Sequence, residues 1–131
     1  IPLILTSQEA VAAVHVGRRG LVNQIAIKTI ELMREMGAQD ISATIGPAIC
    51  GSCYEVSADI HQEVISQFPS ADARTASGSL ALDLPKALHV VLQSLGVSIN
   101  PSESRCTVED PALFSYRRDG VTGRQAGLVS L

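Results

Sequence analysis

The chain opens on an apolar run, Ile1-Pro2-Leu3-Ile4-Leu5, and a second run of small and β-branched residues follows from Ala10 to Val16. Both read as strands, over 1–6 and 10–16. The Ser7-Gln8-Glu9 turn between them is short enough for an antiparallel hairpin. The second strand reads as buried and delivers His15 to a glycine-bounded turn, Gly17-Arg18-Arg19-Gly20. Residues 21–36 then take a helical period. Val22, Ala26, Ile30 and Met33 line one side, widened by Ile25, Leu32 and Met36, while Gln24, Lys28, Glu31 and Glu35 fall opposite. Gly37 supplies a stop. A short strand over 41–45 completes a strand–helix–strand path, right-handed if its two strands are parallel neighbours.

Residues 46–56 hold two glycines and a proline and read as a compact loop. Ser57 is placed to cap a helix over 58–67 with Ile60, Val64 and Phe68 as its apolar stripe, ended by Pro69. The small polar residues 70–79 read as a surface loop, and 80–82 as a short strand. Asp83 and Pro85 mark the start of a helix that runs to about Leu95 and stops at Gly96. Residues 97–99 form another short strand. Residues 100–125 lack periodicity, and a segment of that length without regular structure is usually functional. Residues 126–131 read as a closing strand. No repeat or linker interrupts this order, so one mixed α/β domain is expected.

At 131 residues the chain can bury one core of ordinary size, and its 46% apolar content is normal for that class. Aromatics are only 3%, with no Trp, so the core should be aliphatic. A net charge of −3 argues against generic nucleic-acid binding, which needs a basic face to neutralise phosphates. No apolar run approaches the roughly 18 residues of a membrane span, and no signal peptide is visible. Three cysteines without framework spacing favour reduced thiols and a cytoplasmic setting. Because the first residue is Ile1 and the chain is apolar from there, it is expected to begin inside a domain.

Candidate chemistry gathers at two places. His15, at a strand end beside a glycine turn, suits a metal ligand or a general base, although by its residues alone a core-edge histidine bonded to a carbonyl is the first reading. His61 and His89 read as surface residues on helices. Cys50 and Cys53 form a Cys-x-x-Cys, half of a zinc site or a redox pair. A structural zinc site needs four ligands, however, and Cys106 stands alone in the sequence. Half of the ten basic residues lie in two glycine-containing turns: Arg18 and Arg19 in the first, Arg117, Arg118 and Arg124 in the second. Guanidinium forks there could grip phosphate or carboxylate oxygens, or could pair with Asp119 and neighbouring acids. The working expectation is that the His15 strand end and the C-terminal arginine turn form two walls of one site.

Three blocks together carry a family resemblance. Residues 12–20, around His15, and 45–56, from Ile45-Gly46-Pro47 to Tyr54-Glu55-Val56, are two of them. The third runs from Cys106-Thr107 through Asp110-Pro111 and Phe114-Ser115-Tyr116-Arg117-Arg118-Asp119-Gly120 to Thr122-Gly123-Arg124. In order and spacing these resemble the YfiH-like family, known also as multicopper polyphenol oxidoreductase (laccase-like), peptidoglycan editing factor and purine nucleoside phosphorylase. Leu82-Asp83-Leu84-Pro85 fits the block between.

The resemblance implies an α+β fold of layered β-sheets flanked by helices. It also implies one catalytic zinc ion held by two histidines and a cysteine with an open fourth position. His15 matches one of those histidines. The other two ligands would lie upstream of residue 1, so residues 1–131 are expected to be the C-terminal part of one YfiH-like domain. Cys50, Cys53 and Cys106 match none of the zinc positions, and the Cys-x-x-Cys is not the family's pattern, which removes the redox reading. Arg18 stands where the family pattern has Trp, and Val16 where it has Ala.

The activity so implied is zinc-dependent phosphorolysis of purine nucleosides (adenosine, inosine, methylthioadenosine), with adenosine deamination beside it. His15 would be both zinc ligand and catalytic, and Arg19, Arg118 and Arg124 would bind substrate. Purine nucleoside and phosphate are the expected partners, with neither nucleic acid nor membrane. An amidase that edits peptidoglycan precursors is the alternative enzyme. A multicopper oxidase is disfavoured, because it needs many histidines and the chain has three on separate elements. A non-enzyme alternative is an inert fragment or anion-binding module, in which the strand over 1–6 would expose a pairing edge.

Overall fold

The structure, a computed structural model, describes residues 1–102 and 105–131. Its centre is strand β1 (Pro2–Thr6), which pairs antiparallel with β2 (Val11–His15) on one side and with β3 (Ser42–Ile45) on the other. Ser7 closes the expected hairpin: its hydroxyl donates to the Ala10 carbonyl at 3.0 Å and accepts from the Glu9 and Ala10 amides. A short strand β6 (Ser98–Ile99) runs parallel to β3, giving the sheet order β2-β1-β3-β6. Two expectations change here. β1 is paired on both edges and offers no free edge, and β2 and β3 run parallel but are separated by β1.

β2 is the edge strand, which corrects its reading as buried: none of its five residues is fully enclosed. Alternation still sorts its side chains. Ala12 and Val14 pack on the core, whereas Ala13 and His15 face out.

The helix expected over 21–36 starts earlier and is broken. α1 (Arg18–Val22) and α2 (Ile25–Glu35) are joined through Gln24, whose left-handed φ of 59° interrupts the ladder. Ala26, Ile30 and Met33 are buried as expected and Val22 packs beside them, but Leu21 joins the stripe and Ile25, Leu32 and Met36 are exposed. Gly37 ends α2 at φ 97°, a conformation glycine adopts without strain.

In the second half, α3 (Ala58–Gln67) follows Ser57, although the Ser57 side chain makes no capping bond. A turn of 3-10 helix, Pro69–Ala71, leads into β4 (Asp72–Arg74), which pairs antiparallel with β5 (Leu80–Leu82) in a two-stranded sheet. Part of the expected surface loop 70–79 is therefore a strand. His61 is not a surface histidine: it is 6% exposed, and its Nε2 lies 2.9 Å from Asp72 Oδ1. An imidazole sunk among apolar groups needs such a partner, and the first residue of β4 supplies it. His89 is exposed as expected.

α4 (Leu84–Ser94) is capped by Asp83, whose carboxylate accepts from the Lys86 amide at 2.9 Å. Its Leu84, Ala87, Leu88 and Leu92 are buried with Leu3, Leu5, Ala43, Val64 and the α2 stripe. That core is aliphatic, as the composition required.

The C-terminal segment is largely irregular apart from one helical turn, α5 (Tyr116–Asp119). Positions 103 and 104 of the irregular 100–125 stretch lie outside the described residues. Residues 126–131 form no strand, and Leu128 and Leu131 are exposed. The chain crosses the outer face of β1, so close at Gly127 that a Cβ there would lie 3.1 Å from Ile4 Cδ1. The fold is α+β, and among the described residues no helix is long and apolar enough to cross a membrane.

The broken helix makes a clear test of the core. Leu88, fully buried, should cost about 2–5 kcal/mol on change to Ala, whereas Leu32→Ala on the exposed side of α2 should cost under about 0.5 kcal/mol. Equal losses in denaturant unfolding would contradict the packing.

Candidate active site and thiol cluster

β2 and β3 both run antiparallel to β1, so both finish beside its first residues. The Val16 amide donates to the Ile1 carbonyl at 2.9 Å, and the Gly46 amide donates to the Pro2 carbonyl at 2.8 Å. His15 and the loop 46–56 thereby leave the sheet at one end. The C-terminal segment folds over that end and borders an open cavity of about 390 Å³ lined by His15, Arg18, Tyr54, Phe114, Tyr116, Arg117 and Arg124, among others. The strand end of His15 and the arginine turn thus face one space.

His15 lies exposed at the mouth. Partial burial lowers its pKa below the usual 6.5, so the imidazole is largely neutral at neutral pH. Gly17 keeps the ring accessible, because a Cβ there would lie 3.2 Å from His15 Nε2. Arg18 reaches across to α3 and pairs with Glu63 at 3.0 Å. Arg117 donates to the Glu55 carbonyl at 3.0 Å and lies 5.0 Å from the centre of the Tyr54 ring. Arg124 spends Nη1 on the Thr122 and Gly123 carbonyls, and its other guanidinium nitrogens make no hydrogen bond among the described residues.

Two expected substrate-binding arginines are elsewhere. Arg19 is exposed in α1 and does not line the cavity. Arg118 is a bracket for the C-terminal segment. Its Nη1 donates toward the Thr107, Val108 and Asp110 carbonyls, Nη2 to Leu113, and Nε and Nη2 pair with Asp119 at 2.7 Å. Every donor of that guanidinium is engaged.

Sequence reasoning passed over the aromatics. Three of the chain's four aromatic residues, Tyr54, Phe114 and Tyr116, line this one cavity. The scarcity of aromatics points only to an aliphatic core, although all three stand within the blocks that carry the family resemblance.

A second constellation overturns the view of Cys106 as isolated. The parallel bridge between Ala48 and Cys106 brings the third thiol against the Cys-x-x-Cys turn, where the Cys50 amide points at Cys106 Sγ at 3.4 Å. Cys53 Sγ lies 3.4 Å from Glu109 Oε1. Cys50, Cys53, Cys106 and Glu109 offer donor atoms all within 4.8 Å of one another, an arrangement able to hold a metal ion. Desolvation, then hydrogen bonds to Cys50 and Glu109, push the Cys53 thiol up to about 12. Burial opposes ionisation of Cys106 as well, but donors led by the Cys50 amide outweigh it and lower its pKa.

The zinc implied at His15 does not fit the residues present. Zinc needs at least three protein donors, and among the described residues His15 belongs to no group of His, Cys, Asp or Glu able to share an ion. Among the described residues no histidine joins the thiol cluster either.

The Arg118 bracket carries a pH dependence. The Arg118 hydrogen bond lowers the Asp119 pKa, and the Ala112 amide followed by Arg105 lowers that of Asp110, both from 3.8. A depressed carboxylate stabilises the folded segment fully above its ordinary pKa and loses that contribution as pH falls through the folded value. Amide exchange across 107–119, corrected for intrinsic rates, should stay slow down to about pH 4 and rise below it. Arg118→Ala should raise it already at neutral pH, and unchanged protection would refute the bracket.

Comparison with known proteins places the chain. The family model described as multi-copper polyphenol oxidoreductase laccase matches residues 1–131. A purine nucleoside phosphorylase of Corynebacterium glutamicum is 45% identical over 135 residues, covering 100% of this chain and 55% of its own length. One from Mycobacterium tuberculosis is 42% identical over 133 residues, covering 98% of this chain and 53% of its own. The chain therefore spans about half the length of the curated relatives it matches. The crystal structure of a DUF152 protein from Neisseria meningitidis superposes with a TM-score of 0.76 at 30% identity, covering 91% of this chain and 51% of that one. The chain belongs to the multi-copper polyphenol oxidoreductase laccase family, the YfiH-like group that its three blocks resemble.

Proposed function

We propose that the protein is a purine nucleoside phosphorylase whose nucleoside and phosphate meet in the His15 cavity. The observation that carries this reading is the company His15 keeps: three arginines and three of the chain's four aromatic rings around one space of about 390 Å³. A nucleoside needs flat apolar surface for its base, and stacking on aromatic rings is worth about 1–3 kcal/mol per base. Phosphate needs guanidinium forks, and Arg124 has nitrogens unspent among the described residues. The names of the similar proteins support the same reading.

In phosphorolysis a phosphate oxygen bonds to C1′ of the ribose as the C1′–N9 bond breaks, and the bonding electrons leave with the purine. In this reading Arg124 and Arg18 hold phosphate at the attacking side, with Arg18 kept in position by Glu63. Tyr54, Phe114 and Tyr116 offer flat faces for the base. His15, accessible at Nε2, orients a substrate hydroxyl or passes a proton. Arg118 acts on this site through the fold, by holding the segment that carries Phe114 and Tyr116. Deamination of adenosine belongs to the same proposal as a second reaction at the base. Zinc dependence is proposed only for a His15 site with donors beyond those described, and no step above runs through it.

The test is phosphate-dependent release of hypoxanthine from inosine by the natural full-length protein, followed by chromatography. His15→Ala should lower kcat/KM by about 10²–10⁴-fold. Arg124→Ala should raise the KM for phosphate by about 10–100-fold, the loss of one charge-assisted hydrogen bond. Base release that ignores phosphate, or turnover unchanged in His15→Ala, would overturn the proposal.

A further inference from the structure

We propose that Cys50, Cys53, Cys106 and Glu109 hold a zinc ion that staples the loop 46–56 to the segment 105–110, separate from any ion at His15. The four donor atoms lie within 4.8 Å of one another. Tetrahedral zinc with bonds of about 2.3 Å to sulfur sets its ligands about 3.8 Å apart, so the cluster needs to contract by only about 1 Å. Three sulfurs and one oxygen in tetrahedral array favour zinc over magnesium or calcium, which take oxygen ligands in larger number.

The backbone around the cluster is already built for this. The Cys53 and Tyr54 amides both fold back to the Cys50 carbonyl, at 3.1 and 3.2 Å, turning the two thiols to one side. That turn is pinned at Gly51, where a Cβ would come 2.8 Å from Asp83 Cβ at the cap of α4. Opposite, Ala48 bonds to Arg105 and Thr107 on either side of Cys106, at 3.3 and 3.1 Å. The Asp110 amide donates to the Cys106 carbonyl at 2.9 Å and closes the turn that brings Glu109 back over the thiols. Ligands thus come in two pairs, 50 with 53 and 106 with 109, on two segments already held side by side.

Three thiolates and a carboxylate around a divalent ion leave two negative charges in excess, and each thiol gives its proton to solvent on binding. Lys86 lines the cavity that adjoins Cys50 and Cys106, on the side where that charge would face. The consequence reaches the nucleoside cavity. Tyr54 follows Cys53, Thr107 follows Cys106, and both line the His15 space. An ion here fixes the wall on which the base would rest while touching no substrate. The metal assignment stands apart from the proposed reaction and survives its failure.

The test uses the natural full-length protein, purified under reducing conditions, with zinc content measured by plasma mass spectrometry. One zinc per chain should persist in His15→Ala and disappear in Cys106→Ser, and Glu109→Gln should weaken zinc binding by at least about tenfold. Because Cys106→Ser could impair folding, the unaltered protein should also be loaded with cobalt(II), which should give a strong cobalt–thiolate charge-transfer band and intense visible bands of tetrahedral coordination. Chelation should speed amide exchange across 46–56 and 105–110. Zinc content unchanged in folded Cys106→Ser, a cobalt spectrum without the thiolate band, or an intact mass showing a disulfide among the three cysteines would each overturn the proposal.

Discussion

Everything in this molecule is arranged by the double pairing of β1. A strand paired antiparallel on both sides makes its two neighbours parallel, so β2 and β3 end together beside residues 1 and 2. Pro2 stands opposite His15 and Leu3 opposite Ile45. His15 and the Gly46-Pro47 loop therefore leave the sheet at one end, and the cavity opens there. The register is held because Leu3 and Leu5 face the core and a slip of one residue would turn both outward. A substitution that loosened this pairing would disturb the site before it touched any residue of it.

The C-terminal segment has little regular structure to hold it, and charge does the work that packing does elsewhere. Arg118 gathers four backbone carbonyls and Asp119, while Arg105 pairs with Asp110. Within one short run, then, neighbouring arginines divide their labour. Arg118 turns inward to tie the segment down, and Arg117 lies against Tyr54 on the cavity side. The same logic accounts for Arg18. Its pairing with Glu63 couples the cavity rim to α3, so its charge does not stand alone there.

Much of the fold could be read from the chain because the signals were local. The hairpin follows from two apolar runs and a three-residue turn, and the end of α2 from Gly37. α4 follows from Asp83 and Pro85. Errors arose where a distant partner decides the outcome. Leu32 and Met36 lie on the side of α2 that no other element covers, and no periodicity within 21–36 announces the break at Gln24. Asp72 lies eleven residues from His61 and enters its surroundings through the turn at Pro69–Ala71, which made a surface histidine the natural reading. Residues 126–131 are mostly apolar, yet among the described residues they pair with no strand.

By itself the sequence determined the class of the domain, the aliphatic core, the placing of His15 at a strand end beside a glycine, and the family. Each of these depends on residues within a turn or two of one another, or on blocks whose order survives without coordinates. Only the tertiary structure decided that three scarce aromatics share a cavity with His15, that Arg118 is engaged by carbonyls while Arg124 keeps free nitrogens among the described residues, and that Cys106 completes a group with Cys50 and Cys53. The physical reason is common to all three. Side chains tens of residues apart meet only after the sheet has set its register and the C-terminal segment has folded across its end, and no local spacing encodes that approach.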